Sequence, residues 1–165
     1  MDDAYIGKSF ILKVEEQYLQ WDVIAHVDDG YVVTSHSVMF HIGFGASNHW
    51  KDCFLRSYLN DVWLSPIKRG LALKDISHTE LLTYHTETSN DKIFILSKDE
   101  HKNWSSIFPP KAAPFWLRTA YGHLHASYVW IANPDGTHAG ESVHSSSIGV
   151  VTAIFLSEDA IKALC

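Results

Sequence analysis

The sequence predicts an α+β fold, and three observations carry that prediction. From Leu19 to Val27 the side chains alternate, with Trp21, Val23, Ala25 and Val27 on one side and Asp22, Ile24 and His26 on the other, as a strand of period two requires. From Trp50 the period changes, and Leu55, Tyr58, Leu59 and Val62 fall at i, i+3, i+4 and i+7 on one helix face. From Phe115 to Leu156 short apolar runs return, broken by Asn133-Pro134-Asp135-Gly136, where proline presets φ and glycine accepts left-handed backbone. A chain of 165 residues that is 46% apolar has the size of one domain, 1–165, with a real core. Its 6 Trp, 7 Tyr and 8 Phe suit sheets packed with large side chains.

The elements follow in order. Ile6–Val14 reads as a first strand with Gly7 near its start. The alternating strand, the turn Asp28-Asp29-Gly30 and the strand formers of Tyr31–Val38 make an N-terminal hairpin over 19–39. Gly43, Gly45, Ser47 and Asn48 form a loop; Gly43-Phe44-Gly45 is too short for a phosphate-binding fingerprint. The main helix is expected over 49–63, capped by Asn48 or Ser47 and stopped by Pro66. Cys53, Phe54 and Trp63 widen its apolar face, so it should pack against a sheet. Arg56 and Asn60, at i and i+4 on its flank, are expected to tie down a neighbouring loop.

Leu71–Leu82 fits a short helix followed by irregular chain through Asn90. Lys92–Leu96 reads as a buried strand, and Ser97 with Glu100 has capping-box spacing for a short helix. Pro109, Pro110 and Pro114 make a stiff linker inside the domain, because both flanks stay aromatic-rich. Phe115–Arg118, Ser127–Ala132 and Val150–Leu156 then build a C-terminal sheet layer over 115–156, and Glu158–Leu164 adds one or two frayed helical turns.

Charge narrows the class of partner. The formal charge is −6 with no long block of either sign, which argues against direct nucleic-acid binding, since that needs a cationic face to displace counterions. An acidic protein remains suited to the basic surface of another protein. Met1-Asp2-Asp3 opens without a secretion signal, and no apolar run reaches the ~18 residues of a membrane span. The two cysteines, Cys53 and Cys165, do not form a disulfide framework. A soluble cytoplasmic protein with no membrane partner is expected.

The residues that could carry chemistry are few. His123-x-His125 on a strand would place two imidazoles on one face, with Glu141, His138 or His144 as further ligands. Eleven histidines scattered through the chain look more like general usage, and no metal site or other cofactor is expected. Ser145-Ser146-Ser147 follows His144 without a nucleophile elbow. Cys53 lies on an apolar helix face, where thiols are usually inert. Asp22 and Asp52 are the residue type for acid–base work, but no spacing links them. Arg118 either points outward to an anion or pairs with an internal carboxylate, and the internal pairing is the expected one.

The segment 119–147 is the best binding candidate. Tyr121, His123, His125, Tyr128, Trp130, His138 and His144, set among Asn, Ser and Gly, have the composition of an adaptable recognition surface. The alternative is that Tyr128 and Trp130 belong to an ordinary strand. Asn133-Pro134-Asp135 reads better as a turn than as a calcium-binding loop.

Five motifs in order resemble a bacterial domain family, common in Firmicutes and their phages, to which no function is assigned. They are Trp21-Asp22-Val23-Ile24; Trp50 through Asn60, with Leu55-Arg56 and Leu59-Asn60; Phe94-Ile95-Leu96-Ser97 with Glu100; Trp116-Leu117-Arg118-Thr119; and Gly149 to Leu156. The family pattern has Arg and Pro where Val151 and Thr152 stand, so any role of that arginine is absent here. The resemblance implies a C-type-lectin-like domain, similar to formylglycine-generating-type folds, with a small, mostly antiparallel sheet and one packed helix. In it Trp21, Trp50, Arg56, Asn60, Trp116 and Arg118 are structural, and the ligand face lies on the loops and strands between Trp116 and Gly149. The expected function is a non-enzymatic binding module for a protein or a glycan. The alternatives are a phage or mobile-element inhibitor of a host nucleoprotein and, less favoured, a histidine-based metalloenzyme. Fold alone does not choose among them.

Overall fold

A computed structural model describes residues 3–63, 71–82, 85–122 and 126–165. It is a mixed α+β structure in which strands dominate. Strands β1 (Ser9–Val14), β2 (Gln17–Val27) and β3 (Gly30–Ser35) run antiparallel in sequence, and β12 (Ala153–Ser157) and β7 (Ile93–Phe94) complete a five-stranded sheet in the order β1-β2-β3-β12-β7. A second five-stranded sheet has the order β10-β9-β8-β11-β4, from His138–Ser142, Tyr128–Ala132, Phe115–Ala120, Gly149–Val150 and Phe40–His41. Only the β8–β11 pairing is parallel there. Hairpin β5–β6 (Ile76–Leu81, Thr86–Asp91) stands apart. In place of the single small sheet expected, the described residues form two sheets and a hairpin.

The alternation in β2 marks its strand character, but both faces are buried: Trp21, Asp22, Val23, Ile24 and Ala25 are all within the interior. The ladder to β3 slips by a residue between Val23 and Ala25, a bulge that bends the strand. One cluster of buried apolar side chains draws on both sheets, with Trp21, Trp50, Trp116, Phe44 and Phe94 among its largest members.

The continuous helix expected over 49–63 is broken. Trp50–Asp52 forms a 3-10 turn, Cys53 is extended, α1 covers Phe54–Ser57, and Tyr58–Trp63 follows with the wider hydrogen bonding of a π-helix. The break has a cause. Leu55 gives its N–H to Phe44 O at 3.0 Å, and the Cys53 thiol accepts from Arg56 N at 3.4 Å, restarting the helix. The period of the apolar face survives because Leu55 and Leu59 are still fully buried.

Two further expectations are corrected. Ile76–Leu81 and Thr86–Asp91 pair as the β5–β6 hairpin rather than forming helix and irregular chain. Their inward side chains are His78, Glu80, Ser89 and Asp91, so the strand buries polar groups and shows no apolar period. The layer expected over 115–156 divides after β11, since β12 belongs to the first sheet. The crossing is at Val151–Thr152, where Ser35 N donates to Thr152 O at 2.9 Å and Thr152 N donates to Ser35 Oγ at 3.2 Å.

The capping box forms as the spacing predicts: Ser97 Oγ accepts from Glu100 N, and Glu100 accepts from Ser97 N, at the start of α2 (Lys98–Asn103). Ser157 caps α3 (Glu158–Leu164), which buries Ile161. Among the described residues no helix is long and apolar enough to cross a membrane.

Candidate functional site

Polar residues of the second sheet and the β5–β6 hairpin build an ionic floor. Arg118, on β8, is 5% exposed. Its Nε donates to Glu80 Oε1 at 2.6 Å, its Nη1 donates to Ile95 O at 2.7 Å, and Glu100 accepts from the same guanidinium. Burial opposes the charge on Arg118, but the Glu100 and Glu80 carboxylates more than offset it, raising its pKa. Burial raises the Glu80 carboxyl despite Arg118, whereas for Glu100 the arginine and the Ser97 N–H outweigh burial and lower it. The guanidinium is therefore spent internally rather than held out to an anionic ligand.

Above this floor opens a recess of about 660 Å³. It is bordered by Glu80 and Leu82 from the hairpin, Ser97 and Asp99 at the start of α2, Thr119 at the end of β8, and Asn48. Lys98 N donates to Thr119 Oγ1 at 2.9 Å, fixing α2 against that edge. With Arg118 shared between Glu80 and Glu100, and Asp99 exposed at the rim, carboxylates outnumber the guanidinium.

Tyr121, Tyr128 and Trp130 gather together, and Tyr121 lies in sequence between Ala120 and Gly122 of the recess lining. Val129 and Ile131 of β9 point into the core, while Tyr128 is 41% exposed and Trp130 half-buried. Tyr121 meets Trp130 edge-on with 4.6 Å between ring centroids, and Lys98 Nζ lies 3.5 Å from the Trp130 ring centroid. Trp130 pairs across the ladder with Gly140, where a Cβ would come within 2.6 Å of the Tyr121 ring. Trp130 thus serves both readings of the strand: its ring is already engaged internally, yet its neighbours stay at the surface.

The histidines named from the sequence have separate surroundings where they are described. His123 and His125 lie outside the described residues. His138 turns to His101, with 2.8 Å between Nε2 and Nδ1, while Glu141 accepts from Ser142 N and His144 is exposed on the loop beyond. Burial, then His138 and Lys111, push the His101 pKa down to about 4. Asp22 is held by Ser9 Oγ at 2.7 Å and His36 Nδ1 at 2.8 Å, whereas Asp52 sits with His49 and Glu87, so the two aspartates are not a pair. The Cys53 thiol is buried and pushed up to about 12, chiefly by that burial.

Residue Asp91, which no motif singled out, is the anchor of the region. It is 1% exposed and accepts from Arg56 Nε at 2.6 Å, Trp50 Nε1 at 3.0 Å and Ser89 Oγ at 3.1 Å. Asn60 Nδ2 donates to Ile93 O at 2.8 Å while its Oδ1 accepts from Ile93 N at 3.1 Å. Arg56 and Asn60 therefore bind the broken helix to the β6–β7 corner. Trp116 Nε1 likewise donates to Ile42 O at 2.7 Å. The one available signal for Asp91 was an acidic residue at the inward position of a strand-length run beside Ile93–Leu96.

Comparisons with protein-family models, with curated proteins and with solved structures find no match to this chain.

Proposed function

We propose that the chain is a non-enzymatic recognition module, of C-type-lectin-like fold and cytoplasmic, whose ligand is a basic segment of a protein partner. The observation that carries this reading is the recess of about 660 Å³ bordered by Glu80 and Asp99, whose guanidinium is already neutralised. A cationic side chain entering it meets carboxylates and neutral polar groups, and an anion meets uncompensated negative charge. The exposed Tyr128 and the half-buried Tyr121 and Trp130 supply an adjoining amphipathic contact surface. A glycan is the less favoured ligand, because Lys98 and Tyr121 already engage the Trp130 ring on which a sugar would stack. The same acidity fits the narrower reading of an inhibitor directed at a basic, nucleic-acid-handling host protein.

Tryptophan fluorescence titration with an Arg/Lys-rich peptide, an acidic peptide of equal length and a neutral oligosaccharide tests the proposal. Saturable binding of the basic peptide alone is expected, weakened several-fold by Asp99→Asn and by added salt. Saturable oligosaccharide binding would replace the protein partner by a glycan. Binding of none of the three would remove the reading.

A further inference from the structure

At the mouth of the recess two short sequence pairs converge. His49 precedes the 3-10 turn, and the turn returns Asp52 to it, with Asp52 N donating to His49 O at 3.2 Å. His85 and Glu87 stand two residues apart at the start of β6, on one side of the strand. The two pairs are held in register by Asp91, which ties Trp50 and Arg56 to the far end of the same strand. As a result Glu87 Oε1 lies 3.1 Å from His49 Nδ1 and 3.1 Å from His85 Nε2. One ligating atom each from His49, Asp52 and Glu87 falls within 4.8 Å of the others.

We propose that His49, Asp52 and Glu87 form a binding site for a divalent transition metal of the zinc class, with His85, at present paired to Glu87, turning in as the fourth ligand. Two donors on one tetrahedral zinc, each at about 2.0–2.1 Å, are separated by roughly 3.3 Å, close to the spacing already present on both sides of Glu87. Two imidazoles with two carboxylates favour Zn²⁺, Co²⁺ or Ni²⁺ over Mg²⁺ and Ca²⁺, which prefer all-oxygen shells. His49, Asp52 and Glu87 come from two elements fixed to each other through Asp91, so it is chiefly the exposed His85 side chain that must be ordered when an ion arrives. Both imidazoles also border the recess, which places the ion beside whatever the recess holds. None of these residues belongs to the histidine set that the sequence singled out around His123 and His125.

The test is equilibrium dialysis of the whole chain against Zn²⁺, with Co²⁺ absorption in the visible range as the report on ligand geometry and Mg²⁺ as the comparison ion. One equivalent of Zn²⁺, Co²⁺ bands of four-coordinate intensity and no Mg²⁺ uptake are expected. His49→Ala and His85→Ala should each weaken Zn²⁺ binding at least tenfold, and His144→Ala should leave it unchanged. Glu87→Gln keeps the shape of the cluster and carries the same comparison if a histidine variant fails to fold. Equal Zn²⁺ affinity in the wild type and the His49→Ala/His85→Ala double variant would overturn the proposal and mark the uptake as adventitious binding by other histidines.

Discussion

The His101–His138 contact shows how much one buried proton matters. A ring nitrogen 2.8 Å from another ring nitrogen needs one donor and one acceptor, so the pair cannot hold two charges and keep its bond. His101 is also enclosed by Phe108 and Phe115, with ring centroids at 5.1 and 5.5 Å, and its pKa falls from 6.5 to about 4. A depressed pKa means that the unfolded chain takes up the proton first. The stabilisation is complete above pH 6.5, is lost as the pH falls towards 4, and changes no further below that. It amounts to about 3 kcal/mol if His101 acts alone. His78, buried beside Arg118 and likewise lowered to about 4, adds loss in the same window. Urea unfolding at pH 7, 5.5 and 4.5 should show the decline, and His101→Leu should flatten part of it. Equal pH slopes for the two proteins would show that His101 is not among the groups responsible.

At the level of elements, β10 is shaped by a side chain that is not there. Gly140 faces Trp130 across the ladder, and the Tyr121 ring fills the space a Cβ would occupy, with atoms at 2.6, 2.7 and 2.9 Å. Gly140→Ala should therefore push Tyr121 off the Trp130 edge and cost about 1–3 kcal/mol by overpacking. Tryptophan emission and chemical unfolding would report both effects, and an unchanged spectrum with unchanged stability would show that the ring moves freely. Elements of this kind differ in how openly the sequence announces them. The β2–β3 hairpin, the Ser97 capping box and the turn at Gly136, with φ 86°, are readable because local spacing alone specifies them. The β5–β6 hairpin is not, because its inward faces carry His78, Glu80, Ser89 and Asp91, whose burial is made tolerable only by partners distant in sequence. The helix break at Cys53 is hidden for a related reason: Leu55 N is taken by Phe44 O, a contact that no periodicity records.

For the molecule as a whole, the candidate site was legible in part. The 119–147 segment pointed to Tyr121, Tyr128 and Trp130, which do cluster, but the recess beside them is completed by Glu80 and Asp99, brought there by the hairpin and by α2. Arg118 was legible as an internally paired arginine, although its two carboxylates lie 38 and 18 residues away in the chain. The arrangement has one consequence that only the assembled surface can show. The proposed metal cluster and the recess share His49 and His85, so a bound dication would sit next to the place proposed for a cationic side chain. Like charges at that distance repel, and an ion that weakens a ligand must itself be weakened by that ligand to the same degree. Zn²⁺ at saturation should lower the affinity for the Arg/Lys-rich peptide about tenfold, a coupling of ~1.4 kcal/mol. The peptide at saturation should weaken Zn²⁺ by the same factor, and His85→Ala should abolish both effects. Peptide titrations with and without Zn²⁺, and the reverse pair, close the cycle. Tighter peptide binding in Zn²⁺ would mean that the ion contacts the ligand through an acidic or neutral donor, and that the recess selects something other than a basic side chain.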